Sequence, residues 1–200
     1  MIHIDNVEHV LVNGICARTH PNADPHYINI GDSGLIANRN VYGVKVIPPG
    51  GVLGEYVPFY LGPHSPMLLK IRDGNGGVTR RPQSDIVYLL CKMNDVVAAC
   101  PEWCFTNGHA KMEITEYYKD VKDLDNVDWN MVSERYWRNN DDDFDRMRRK
   151  QAEFLVKHHV PTACIAAIAT YNATAQQAVE AVIKKLGVNI PVRAKSNLYY

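Results

Sequence analysis

The chain has 200 residues, enough for one domain with a buried core. Its 22 basic and 22 acidic residues balance, which excludes a uniformly basic surface and leaves room only for a local nucleic-acid patch. No apolar run approaches the roughly 18 residues of a membrane span, the start "MIHIDNVEHV" lacks a basic-then-apolar secretory signal, and the five cysteines, odd in number, fit reduced cytosolic thiols.

In chain order, "IDNVEHVLVNG" predicts a helix capped by Asp5 or Asn6, with Val7, Val10 and Leu11 as its apolar stripe and Gly14 as its stop. Residues 18–32, rich in His, Asn and Pro, predict a loop. "SGLIANRN" predicts a short helix capped by Ser33, and "PPGGVLGEY" is turn material. "YVPFYLG" and "PMLLKIR" read as short strands. "DIVYLLC" reads as a strand buried on both faces. "MNDVVAAC" is helical, and "WCFTNGHAKMEITEYYKD" reads as a strand turning at Asn107-Gly108 into a helix. Asp128 caps "WNMVSERYW", and "RNNDDDFDRMRRK" is a loop. "QAEFLV" and "ACIAAIATY" are strands, "TAQQAVEAVIKKLG" an amphipathic helix stopped by Gly187, and "IPVRAK" a last strand. No glycine-rich nucleotide fingerprint follows a strand, and βαβ alternation is irregular. The pattern indicates α+β in a single domain over 1–200.

The chemistry-bearing residues each admit two readings. In "QAEFLV", alternation puts Ala152, Phe154 and Val156 on one face and Gln151, Glu153 and Leu155 on the other. Pattern alone favours an edge strand with a wet face; the sharper reading is a carboxylate on a rigid strand, able to stabilise a developing cation. Arg39 is either a surface arginine or a pyrophosphate clamp. His109 either packs or reacts. Cys100, Cys104 and His109 lack the paired spacing of a zinc site, so no metal is expected. The aromatic and proline-rich residues 56–67 are core and turn, or the wall of a flat pocket. Arg146, Arg148, Arg149 and Lys150 are a solvated face or a phosphate contact, partly cancelled by Asp141, Asp142, Asp143 and Asp145.

Several long motifs occur together and in order: "IHIDN", "GGVLGEYVPFYLGPHSPML", "FTNGHA", "LDNVDWNMVSERYW", "RRKQAEFLV" and a terminal "YY". Over essentially the whole chain this set resembles the DarT family of toxin–antitoxin systems. The resemblance implies an ADP-ribosyltransferase fold with a split β core, and NAD bound in its cleft as co-substrate. It implies transfer of ADP-ribose to a base of single-stranded DNA, thymidine before guanosine, so that replication is blocked. It also implies a macrodomain antitoxin partner, DarG, a cytoplasmic location and no membrane contact.

By the same resemblance Glu153, Arg39 and His109 are catalytic. Asn40 or Tyr42 are the register alternatives to Arg39, and Asn107 stands where the family pattern has Asp. NAD contacts fall on Met1, Ile2, His3, His9, Ala17, Arg39, Tyr60 and Met67, with an NAD-binding loop over about 20–41. DNA contacts fall on Tyr56, Arg146, Arg148, Arg149 and Lys150, within a substrate loop over about 109–153. His3 matches the second histidine of the family's H-x-T-H-x-D-N start, so the first, which holds a ribose of NAD, has no counterpart and the first strand is expected to be short. The competing readings are a module that binds NAD or nucleic acid without chemistry, and a transferase acting on RNA or protein.

Overall fold

The computed structural model describes residues 1–34, 36–37 and 46–200. Among these, two four-stranded sheets divide the work. The first runs β1 (Ile2–His3), β4 (Ile86–Cys91), β9 (Ile165–Thr170) and β10 (Val192–Ala194). Its strands are antiparallel except β9 and β10, which pair in parallel. A parallel pair needs a crossover, and the 14-residue helix α6 (Ala173–Leu186) supplies it. Asn172 caps α6 by accepting the Ala175 N–H at 2.9 Å, and Gly187 ends it in the left-handed region. Helices α1 (Val7–Asn13) and α6 pack their apolar stripes on this sheet through Val10, Leu11, Ile168 and Val179.

The second sheet runs β3 (Tyr56–Tyr60), β7 (Glu153–Lys157), β5 (Trp103–Thr106) and β6 (Tyr117–Tyr118), all antiparallel. A small pair, β2 (Ile15–Cys16) with β8 (His159–Val160), lies outside both. β7 is therefore central, not an edge. Phe154 and Val156 enter one apolar cluster with Trp103, Phe105 and Val96 of α3 (Met93–Ala99), while Leu155 enters another with Leu53, Tyr56 and Cys104. Gln151 lies outside the strand, capping the short helix α5 (Arg146–Lys150).

Three local expectations are corrected. "PMLLKIR" is a helix, α2 (Pro66–Asp73), because Ser65 caps it, Pro66 sits at its first position and Gly74 ends it at φ 71°. The segment after Asn107-Gly108 returns as strand β6 instead of becoming a helix. The "WNMVSERYW" helix stops early, at Ser133 (α4, Trp129–Ser133), with Asp128 as its cap. Residues 33, 34, 36 and 37 of "SGLIANRN" are helical, with the Ile36 N–H donating to the Asp32 carbonyl, while Leu35 and the stretch 38–45, with Arg39, Asn40, Val41 and Tyr42, lie outside the described residues.

The terminal "YY" pins the first sheet to α2. Tyr199 is buried and its hydroxyl donates to the Ile86 carbonyl at 2.9 Å. Tyr200 exchanges backbone bonds with the Gln83 amide and donates its hydroxyl to the His64 carbonyl at 2.5 Å.

Candidate active site

Glu153 opens β7 opposite Tyr60 of β3 and is 5% exposed. Its side chain lines a cavity of about 210 Å³ with Met1, Tyr60, Met67, His109 and Gln151. Further wall comes from Asp32 and Ile36 on one side and from Lys70 and Lys111. A buried acid must be compensated; here the Ala110 N–H approaches the Glu153 carboxylate at 3.5 Å. A second, more apolar cavity of about 380 Å³ lies beyond Phe59 and Tyr60, between β3 and β4, and shares Met1, Phe59 and Tyr60 with the first. Tyr60 thus stands between two clefts at the junction of the sheets.

The turn after β5 holds the site's lid of backbone. The Thr106 hydroxyl is fully buried, accepts the Glu153 N–H at 3.0 Å and lies 2.7 Å from the Gly108 carbonyl. The His109 N–H donates to the Arg148 carbonyl at 2.9 Å. Gly108 packs closely on Arg148: a Cβ there would lie 2.3 Å from a guanidinium nitrogen, which would have to shift. Asn107 is bonded on both sides, its Oδ1 accepting from Arg148 and from the Glu116 N–H, and its Nδ2 donating to the Glu116 carboxylate at 3.0 Å.

The structure brings together Met1, Tyr60, Met67, His109 and Glu153 from the expected set. It places others elsewhere. Ile2 and Ala17 are buried core residues, in two different apolar clusters. Tyr56, expected to touch DNA, is 4% exposed with its hydroxyl donating to the Gly50 carbonyl, so its ring belongs to the core under β7. His3 is buried and accepts the Asp5 N–H at 3.2 Å. His9 ties down the loop after β2, its Nε2 lying 2.9 Å from the Asn22 carbonyl.

The basic cluster is also redirected inward. Lys150 is 4% exposed, and its ammonium donates to the carbonyls of Pro63, Val132 and Glu134 at 2.8, 2.7 and 2.6 Å. Burial pushes its pKa down to about 8, opposed by the Glu134 carboxylate. This group is a structural clamp, and the phosphate contact expected of it is corrected. Arg148 pairs bidentately with Asp145. Arg149 bridges Asp128 and Asp143. Arg146 donates to the carbonyls of Tyr136 and Arg138.

Sequence reasoning passed over two groups. Lys70 and Lys111 line the Glu153 cavity; reading α2 as a strand hid the face on which Lys70 lies, 3.7 Å from Asp32. Tyr136 and Phe144, at 79% and 75% exposure, are the most exposed aromatic rings among the described residues. They flank a loop tied by the Arg146 bonds and by Asn139, which donates to the Phe144 carbonyl at 2.5 Å. Their signal was present as aromatics alternating with arginines in "SERYWRNN" and "DDFDRM".

Burial pushes the thiols of Cys91 and Cys104 up to about 12, which keeps them inert at neutral pH. Among the described residues no group of His, Cys, Asp and Glu is placed to hold a metal ion, and no helix is long and apolar enough to cross a membrane.

Comparison with known proteins agrees with this geometry. The family model described as "ssDNA thymidine ADP-ribosyltransferase, DarT" matches residues 1–200. A DNA ADP-ribosyl transferase of Escherichia coli O127:H6 is 35% identical over 201 residues, covering 100% of this chain and 91% of the relative. The structure superposes on Thermus sp. 2.9 DarT in complex with ADP-ribosylated ssDNA with TM-score 0.88 and 31% identity, covering 99% and 93% of the two chains. On the same Thermus protein in complex with NAD+ the TM-score is 0.83 at 28% identity, covering 99% and 94%. The expected α+β fold with split sheets is the one these structures share.

Proposed function

Because this chain belongs to the DarT family, whose members move ADP-ribose from NAD onto single-stranded DNA, we propose that Glu153 is its catalytic acid and thymidine its acceptor. One observation carries the assignment of Glu153. It is the acidic side chain of the second sheet's central strand, buried, yet opening on a cavity with Tyr60, Met67 and His109.

The chemistry follows from that placement. Breaking the bond between nicotinamide and ribose builds positive charge on the sugar. The Glu153 carboxylate stabilises that charge and accepts a ribose hydroxyl; a preorganised group of this kind is worth about 3–4 kcal/mol, or roughly 100- to 1,000-fold in rate. Tyr60 and Met67 bound the ring-sized space beside it. Lys70 and Lys111 bring positive charge to the same cavity and suit the pyrophosphate of NAD. Arg39, outside the described residues, is assigned to the NAD phosphates by the family resemblance.

The acceptor base must leave its stack to reach this cavity, which costs least in a single strand. The exposed rings of Tyr136 and Phe144 offer stacking surface for neighbouring bases, with Arg135 and Arg138 near them in sequence to meet phosphates. A macrodomain antitoxin of the DarG kind is the partner proposed from family membership.

The test is intact-mass measurement after incubation with NAD and a thymidine-containing oligonucleotide. A gain of one ADP-ribose is expected, absent with a guanosine-only oligonucleotide, with RNA or with bulk protein. Glu153→Gln keeps the side chain's volume and should retain fold and NAD binding while losing transfer. A Glu153→Gln protein that transfers at the wild-type rate would sink the assignment.

A further inference from the structure

We propose that Thr106 is a positioning residue for the transfer reaction, its hydroxyl fixing at once the main chain of Glu153 and the turn that carries His109. This rests on the assignment of Glu153 above.

The β5–β7 ladder runs from Trp103 opposite Val156 to Phe105 opposite Phe154, and its backbone pairing ends there. In an unbroken ladder the next bond, from the Glu153 N–H, would go to a main-chain carbonyl. Here the Thr106 side chain takes that place, accepting the Glu153 N–H at 3.0 Å. The substitution frees β5 to leave β7 at this point. Thr106 keeps its pairing with Tyr117 of β6 on the other edge of β5, and residues 107–116 swing across the end of β7.

The same hydroxyl has one proton to give. The Gly108 carbonyl lies 2.7 Å away and the Glu153 carbonyl 3.4 Å, so the proton goes to Gly108. One fully buried oxygen therefore bridges the strand that bears the acid and the turn that bears His109. That turn also delivers the Ala110 N–H to the Glu153 carboxylate. Moving the turn moves a hydrogen-bond donor to the acid as well as His109. A serine keeps this bridge, whereas a valine keeps only the shape.

Misplacing a catalytic group by about 1 Å costs on the order of 100-fold in rate. The loss falls on a group that acts in the transition state, so kcat and kcat/KM fall together while KM for NAD stays constant. The experiment compares wild type, Thr106→Val and Thr106→Ser in steady-state transfer to a thymidine oligonucleotide, with thermal melting as the control for folding. The expected result is a kcat loss of about 100-fold in Thr106→Val, KM for NAD within twofold, and Thr106→Ser within threefold of wild type. If Thr106→Val does not fold, Thr106→Cys, similar in volume and a poor hydrogen-bonding group, takes its place with the same expectation. A folded valine or cysteine variant with kcat within threefold of wild type overturns the proposal. So does an equal loss in the serine variant, which would assign the effect to the missing methyl, and so does a loss confined to KM. Wild-type protein that modifies no DNA overturns the functional reading itself and this proposal with it.

Discussion

The two sheets are built from similar materials and used differently. In the first, Ile168 of the inner strand β9 is fully buried among Val10, Leu89 and Val179, and each neighbour is a hydrocarbon. In the second, the central strand β7 is as deeply buried but begins with an acid. Around Ile168 the first sheet's burial serves stability. The second holds a carboxylate that is buried yet faces a cavity lined also by Lys70, His109, Lys111 and Gln151. Low local dielectric raises the worth of a charge placed for the reaction, and it raises the cost of a misplaced one.

Four substitutions break or sharpen this contrast. The largest effect belongs to Glu153→Gln, expected to lower transfer by about 100- to 1,000-fold with little change in melting temperature; oligonucleotide mass measurement and thermal melting read the two halves. Ile168→Ala in the first sheet should do the opposite. It should cost about 3 kcal/mol in urea unfolding through cavity formation, with kcat per folded molecule unchanged.

Lys150→Met comes third, since it leaves three carbonyls without their shared donor, at about 2 kcal/mol. Its pH signature is distinctive. The folded ammonium titrates at about 8 and an exposed lysine at 10.5. Between these values the unfolded chain keeps a proton that the folded chain has released, so this group's contribution to stability rises with pH across that window. Because buried thiols titrate with the opposite sign, the comparison is the difference between the two proteins: denaturant unfolding from pH 7.5 to 10.5 should show wild type gaining stability relative to Lys150→Met. The smallest effect is that of Tyr136→Ala alone, expected to weaken oligonucleotide binding by about 1 kcal/mol for one lost stacked base while leaving NAD turnover in the absence of DNA unchanged; fluorescence anisotropy against a labelled single strand decides it.

Much of this was legible in the sequence, for identifiable reasons. Asp128 and Gly187 announce helix ends because capping is local chemistry, whereas the start of α6 read from "TAQQ" falls two residues past its cap, Asn172. The apolar run 86–91 announces a strand, covered on both faces over Ile86–Leu89 but with Leu90 40% exposed. Glu153 and His109 were legible through motif resemblance, not through pattern, which favoured a wet edge strand. Pattern failed there because β7's second cover comes from Leu53, Tyr56 and Ala110, distant in sequence. Residues 66–72 misled because a short apolar run suits helix and strand alike, although Ser65, Pro66 and Gly74 were decisive signals. The basic cluster misled for another reason. Four cations in five residues look solvated, and nothing local reveals that three carbonyls converge on one of them.

That convergence has a consequence for how such an enzyme can diversify. Pro63 follows β3, Val132 and Glu134 end α4, and Lys150 ends α5, so the two stems of the loop 134–150 are fastened to each other and to the wall of the cleft. Altering either stem strands a buried charge. The outer turn, where Asp141, Asp142 and Phe144 face solvent, holds no such buried charge, and Asp143 ties it back to Arg149. The loop is thus a fixed socket carrying an exchangeable tip, and the tip can change while the acid beneath keeps its place.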